Sequence, residues 1–203
     1  MAAGDLLGLF ESEADPGALF YATDHHWTSL GAYRAARFYL GGKGRSIPAA
    51  ADYRVTAAEG FRGSTYSRSA LWLHGAETIE LWDSGTRFSL TSSESAEAHE
   101  GLFYPERLEG DDMYTVFLDG NHAWARIENL SEGAQGRLLL IGDSFSNCLS
   151  CFLAEGYRTV VMVDLRYYKH PVSELYAAEG FDDVLIVYSL RNFLTDSNLL
   201  WLE

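Results

Sequence analysis

The sequence predicts an α/β fold built on a parallel sheet, and three observations carry that prediction. Toward the C-terminus, Arg137-Leu138-Leu139-Leu140-Ile141, Thr159-Val160-Val161-Met162-Val163 and Val184-Leu185-Ile186-Val187-Tyr188 are near-continuous apolar runs. Strands buried on both faces read this way, whereas strands with one wet face alternate. The segments between the runs, near 145–155 and 172–180, suit helices, and strands alternating with helices indicate a parallel sheet. Finally, 203 residues with 47% hydrophobic and 22% charged residues have the size and balance of one folded domain, not of a disordered chain.

Charge narrows the partners. Fifteen Lys and Arg against 29 Asp and Glu leave a net charge of −14. Such a chain repels nucleic-acid phosphates and anionic membrane surfaces alike. No apolar run approaches the ~20 residues that span a bilayer. Met1-Ala2-Ala3-Gly4-Asp5 lacks the basic start and apolar core of a signal peptide. Two cysteines are too few for a disulfide framework.

The elements follow in three stretches of one domain, 1–203. In the first, 5–41, Leu19-Phe20-Tyr21 reads as a short strand, followed by the polar cluster Thr23-Asp24-His25-His26-Trp27. A helix is predicted over 29–40 from the spacing of Leu30, Tyr33, Ala36, Phe38 and Tyr39, with Thr28 as N-cap and Gly41-Gly42 as stop. The second stretch, 43–135, reads as a strand-and-loop insertion. Thr78–Trp82 and Arg87–Leu90 alternate, and Asp83-Ser84-Gly85 between them suggests a hairpin. Between Ser92 and Asp112 lie seven acids and one Arg, which suits a solvated loop better than a calcium loop, whose spacing is missing. The third stretch, 136–203, holds the three apolar strands.

In a parallel sheet, chemistry gathers at the carboxyl ends of the strands. Gly142-Asp143-Ser144-Phe145-Ser146 follows the first buried strand and opens the next helix. A serine there has its hydroxyl at the sheet's rim, beside helix N–H groups suited to a developing oxyanion. The plainer alternative is that Asp143 or Ser144 caps the helix. A serine needs a base, and Asp24-His25-His26 supplies one. In an extended segment, residues two apart share a side, so Asp24 can orient His26 while His25 points elsewhere.

Thr23-Asp24-His25-His26-Trp27-Thr28-Ser29-Leu30-Gly31-Ala32-Tyr33 resembles the signature of the DHHW protein family, which is similar to the SGNH-like domains of bacterial alginate O-acetyltransferases. Leu140-Ile141-Gly142-Asp143-Ser144-Phe145-Ser146 resembles the serine block of that superfamily, and Phe152–Glu155 and Asp164–Tyr168 resemble the C-terminal half. The resemblance implies a three-layer, flavodoxin-like sheet and a triad of Ser144, His26 and Asp24. It implies extracytoplasmic or membrane-anchored work as an esterase or O-acetyltransferase on polysaccharide or small acyl esters, without a cofactor or metal. The serine block follows the Asp-His block, the reverse of ordinary SGNH hydrolases, which implies a circularly permuted order. By rhythm Asn192 falls where the superfamily has an oxyanion-hole Asn, though Leu190 and Phe193 replace the usual flanking Gly and Asp. Asn121 and Arg191 are rival polar groups. Arg166 suits a substrate hydroxyl or carboxylate, or equally a pair with Asp164. Five parallel strands are usual in this superfamily. Three are evident here besides the piece at 19–22, so the sheet is expected to be incomplete at the N-terminus, within a longer exported protein.

Three other classes compete. Cys148-Leu149-Ser150-Cys151 opens a helix like a thioredoxin-like motif, but both thiols sit about a turn inside, where core packing is the commoner use. His25, His26, His122 and Asp24 are potential metal ligands without a zinc-type His-x-x-x-His spacing. A non-catalytic glycan-binding module keeping the SGNH-like fold would use some of the five Trp and twelve Tyr as stacking platforms.

Overall fold

The computed structural model describes residues 4–69 and 73–203. The first three residues, part of the stretch without a signal-peptide start, lie outside the described residues. The chain forms two compact units. The first comprises the described residues up to Gly85 together with Tyr104–Val116, and the second comprises Thr86–Phe103 and Phe117–Glu203.

In the first unit, α1 (Leu6–Glu11) is capped by Asp5, which accepts the Gly8 N–H at 2.9 Å. The strand expected at 19–21 does not form. Pro16 fixes its own φ, Asp15 accepts the Gly17 N–H, and Pro16–Leu19 closes as a 3-10 turn. Only Phe20 makes a strand-like bridge, with Trp27. The predicted helix is present as α2 (Ser29–Gly42), and Thr28 caps it by accepting the Gly31 N–H at 3.2 Å. Strand β1 (Arg54–Phe61), helix α3 (Ser64–Ser69) and strand β2 (Glu77–Asp83) follow, with β1 and β2 paired antiparallel in a two-stranded sheet. Ile79 and Leu81 point inward from β2. Tyr33 of α2 packs against Tyr53 and Trp82, with ring centroids at 5.8 and 5.2 Å.

The second unit holds a six-stranded sheet. Its strands are β3 (Phe88–Ser92), β4 (His99–Glu100), β5 (Trp124–Asn129), β6 (Arg137–Gly142), β7 (Thr159–Val163) and β8 (Asp183–Val187), in spatial order β4-β3-β5-β7-β6-β8. The three predicted strands are present, and β6 pairs in parallel with both β7 and β8. The sheet as a whole is mixed, not parallel, because β3, β4 and β5 join it antiparallel. The expected hairpin is also corrected. Asp83 accepts the Gly85 N–H, so the turn exists, but β2 and β3 on its two sides belong to different sheets. Alternation locates strands; it does not choose their partners.

Helices α4 (Phe145–Gly156) and α5 (Val172–Glu179) fall within a residue of their expected ends. On one face, α4 packs over β5, β6 and β7, and Ser150 Oγ lies 3.6 Å from Met162 Sδ. On the other face, Leu139, Ile141, Val161 and Val163 form a core with Leu165, Val172 and Phe181, covered by Tyr188, Leu199, Trp201 and Leu202. Helix α6 (Leu190–Thr195) closes the series. Strand β8 stands at the sheet edge, and Val184 and Ile186 are 44% and 38% exposed. Both cysteines are buried in α4 and form no disulfide among the described residues, and burial, with Cys148 adding to it, pushes the Cys151 thiol up. Among the described residues no helix is long and apolar enough to cross a membrane.

Candidate active site

The Asp-His block lies in the first unit, where the chain doubles back between Phe20 and Trp27 and the Tyr21 N–H donates to the His26 carbonyl. Asp24 and His26 come together as predicted, for a different reason than strand alternation. Residues 22–26 form a run of bends, and Asp24 Oδ1 accepts the backbone N–H of His26 at 3.0 Å. That local turn swings the ring round, so that Oδ1 lies 2.5 Å from His26 Nδ1. The other carboxylate oxygen accepts the Ser64 N–H at 2.7 Å. Burial works against the charge of Asp24, but the hydrogen bonds with His25 and His26, the nearby His26 charge and the Ser64 N–H hold it well below the usual carboxylate range. An ionised Asp24 only accepts, so the bond at Oδ1 takes its proton from His26 Nδ1.

Several groups that hold this pair escaped the sequence. Gly63 passes so close to Asp24 that a Cβ there would overlap its carboxylate. Glu77, from β2, accepts the Ala22 and Thr23 N–H groups at 2.9 and 2.7 Å, and the Thr23 hydroxyl as well. Tyr114 stacks on the His26 ring with centroids 3.9 Å apart and planes at 7°. His25 is not turned away as expected. Its Nδ1 meets Ser64 Oγ at 2.8 Å, and its ring lies 3.9 Å from that of His26. Asp24, His25 and His26 each offer one ligand atom within 4.8 Å of the others. His122 lies in the second unit, with Nε2 2.7 Å from the Leu118 carbonyl.

The serine block lies in the second unit, at the carboxyl end of β6. A Cβ on Gly142 would overlap Ser146 Oγ and the Val187 carbonyl, so glycine lets the turn close against β8. Asp143 takes the capping role: it accepts the Phe145 N–H at 3.1 Å on one oxygen, and the Ser189 N–H at 2.9 Å and Asn192 Nδ2 at 2.8 Å on the other. Ser144 stands at the N-cap of α4, and its side chain makes no capping bond. The expected reserve of helix N–H groups is smaller than predicted, since Ser146 N–H also donates to the Asp143 carbonyl at 2.9 Å.

Of the remaining candidates, Asn192 sits in α6 with its amide on Asp143, and Arg191 is exposed beside it. Asn121 accepts from Asn147 Nδ2 at 3.2 Å. Arg166 forks onto Asp164, with Nε at 2.9 Å from one oxygen and Nη2 at 2.6 Å from the other. Burial pushes the Asp164 carboxyl up despite that partner. Nearby, burial and the acids Asp196, Asp164 and Asp143 push the Tyr188 phenol up.

Solved structures with similar folds include a DHHW family protein from Eubacterium siraeum DSM 15702, at 22% identity and a TM-score of 0.74, over 84% of this chain and 59% of that one. Bacillus cereus PatB1, solved with a sulfonyl adduct, matches at 24% identity and a TM-score of 0.73, over 92% of this chain and 66% of its own. The O-acetyltransferase domain of Pseudomonas putida AlgJ is more distant, at 14% identity and a TM-score of 0.41, over 91% of this chain and 57% of that one. The chain thus spans roughly three-fifths to two-thirds of the length of the first two. No curated protein matches the sequence. The DHHW protein family matches residues 8–163, which include both the Asp-His block and the serine block, and the chain belongs to that family.

Proposed function

We propose that the protein is an SGNH-like serine esterase or O-acetyltransferase acting on acyl esters of an extracytoplasmic polysaccharide, with its blocks in circularly permuted order. Ser144 is the nucleophile, His26 the general base and Asp24 its orienter. The observation that carries this reading is the buried Asp24–His26 pair, bonded through Oδ1 and Nδ1 at 2.5 Å. A histidine held by a carboxylate at Nδ1 presents Nε2 as base, the arrangement that serine acyl transfer requires. Ser144, at the carboxyl end of β6 and the N-cap of α4, supplies the hydroxyl.

Ser144 Oγ adds to the ester carbonyl and its proton passes to His26 Nε2. The tetrahedral adduct collapses, the C–O bond to the leaving alcohol breaks, and that alkoxide takes the proton from His26. Water then resolves the acyl-serine in an esterase, or a sugar hydroxyl resolves it in a transferase, with His26 again accepting and returning the proton. The sulfonyl adduct of PatB1 fits a nucleophile of this kind in a similar fold.

The test is labelling with a serine-reactive fluorophosphonate, followed by peptide mapping and measurement of acetate release from an activated acetyl ester. Label on Ser144 with metal-independent release supports the proposal. No label and no release, with retained glycan binding, would instead support a binding module.

A further inference from the structure

An oxyanion forming at Ser144 needs donors, and the first turn of α4 has spent most of its own. Phe145 and Ser146 donate their N–H groups to Asp143, and Asn147 donates to the Ser144 carbonyl at 3.2 Å. Asn192 has turned its amide to Asp143. A side-chain donor from elsewhere in the unit would complete the site.

The segment before β5 is built to supply one. Leu118 and Asp119 lie at φ 59° and 64°, the only non-glycine residues in the left-handed region among those described, and Gly120 follows at φ 86°. Each such residue costs on the order of 1–3 kcal/mol and persists only where its surroundings enforce it. Here they do. Leu118 is fully buried, its N–H donates to the Leu102 carbonyl at 3.0 Å, and its own carbonyl meets buried His122 Nε2 at 2.7 Å. The Gly120 N–H donates to the Phe117 carbonyl at 3.1 Å.

What this enforced loop presents is Asn121. Its Oδ1 accepts from Nδ2 of buried Asn147 at 3.2 Å, so its own Nδ2 faces away from that bond, and among the described residues no side chain or carbonyl accepts from it. Asn147 lies three residues after Ser144 on α4, and side chains at that spacing are neighbours on one helix face. We infer that Asn121 Nδ2 is the side-chain donor of the oxyanion hole at Ser144, and that Asn147 is its positioning residue. The assignment rests on Ser144 being the nucleophile.

The experiment compares Asn121→Ala, Asn121→Asp, Asn147→Leu and Asn192→Ala, with Asn121→Ser as the conservative replacement, in turnover of an activated acetyl ester, with fluorophosphonate labelling of Ser144 in each variant. Losing one such donor lowers kcat about 10²–10³-fold. The expected result is a loss of that size in both Asn121 variants with KM little changed, partial recovery in Asn121→Ser, and a smaller kcat loss in Asn147→Leu. Thermal unfolding of the Asn121 variants should match the wild type, since the side chain is exposed. Wild-type kcat in Asn121→Ala with Ser144 still labelled overturns the inference and leaves the proposed nucleophile standing. A larger kcat loss in Asn192→Ala than in Asn121→Ala also overturns it. An unlabelled Ser144 in the wild type removes the proposed function first, and the inference with it.

Discussion

The two regions that carry the proposed chemistry are built in opposite ways. In the first unit the Asp24–His26 pair is local: two residues apart, joined by one carboxylate oxygen that binds both the backbone and the ring of His26. In the second unit Asp143 links groups that are distant in sequence, reaching Ser189 and Asn192 at the end of a neighbouring strand. The bond within that turn is set by two residues close in sequence, while Ser64 of α3 and Glu77 of β2 hold the turn in place. A site made by strand topology depends on β6 and β8 staying in register.

Substitutions that strike one region at a time sharpen this contrast. Ser144→Ala should have the largest effect, lowering acetyl-ester turnover by at least about 10⁴-fold with the fold unchanged by circular dichroism. Asp24→Asn should lower kcat about 10⁴-fold by losing the Nδ1 tautomer. It should also alter the acid limb of stability. Asp24 is held low in the fold, so its contribution is whole above its unfolded value near ~3.9 and is lost as pH falls below that. Denaturation of the wild type and Asp24→Asn at pH 6 and pH 3 should therefore show a difference that shrinks on acidification.

Arg166→Ala leaves Asp164 buried without its fork and should cost about 3 kcal/mol by urea unfolding, with Arg166→Lys recovering part of it. Gly63→Ala should cost about 1–3 kcal/mol, and it should slow turnover as well, because the added Cβ displaces the Asp24 carboxylate. The smallest change in activity is expected for Cys148→Ser with Cys151→Ser, which should keep turnover within about threefold while losing some stability to two buried hydroxyls. Loss of activity in that well-folded double variant would favour redox chemistry and break the comparison altogether.

What was legible in the sequence follows the same divide. The parallel strands and the helices after them announce themselves because burial on both faces leaves continuous apolar runs, and α2 shows its cap in Thr28. Asp24 and His26 were legible because they are close in sequence. Gly63, Ser64, Glu77 and Tyr114 were not, because nothing local marks a residue whose role is to meet Asp24 or His26 from tens of residues away. The strand at 19–21 failed where Pro16 and Asp15 imposed a turn, and the hairpin at 83–85 failed because pairing is decided by the whole sheet. The left-handed pair at Leu118 and Asp119 was not legible, since Leu disfavours such a backbone and Asp adopts it far less often than glycine.

The edge position of β8 bears on how the protein behaves in a concentrated solution. Its outer hydrogen-bonding groups run along Asp183–Val187, a stretch with no Lys, no Pro and one acid at its start. Edges of this kind template the addition of another strand. At neutral pH a net charge of −14 keeps copies apart, but the chain is isoelectric near pH 4.7. Colloidal stability should therefore fail first on mild acidification, before the fold does, with β8 as the seam along which molecules join.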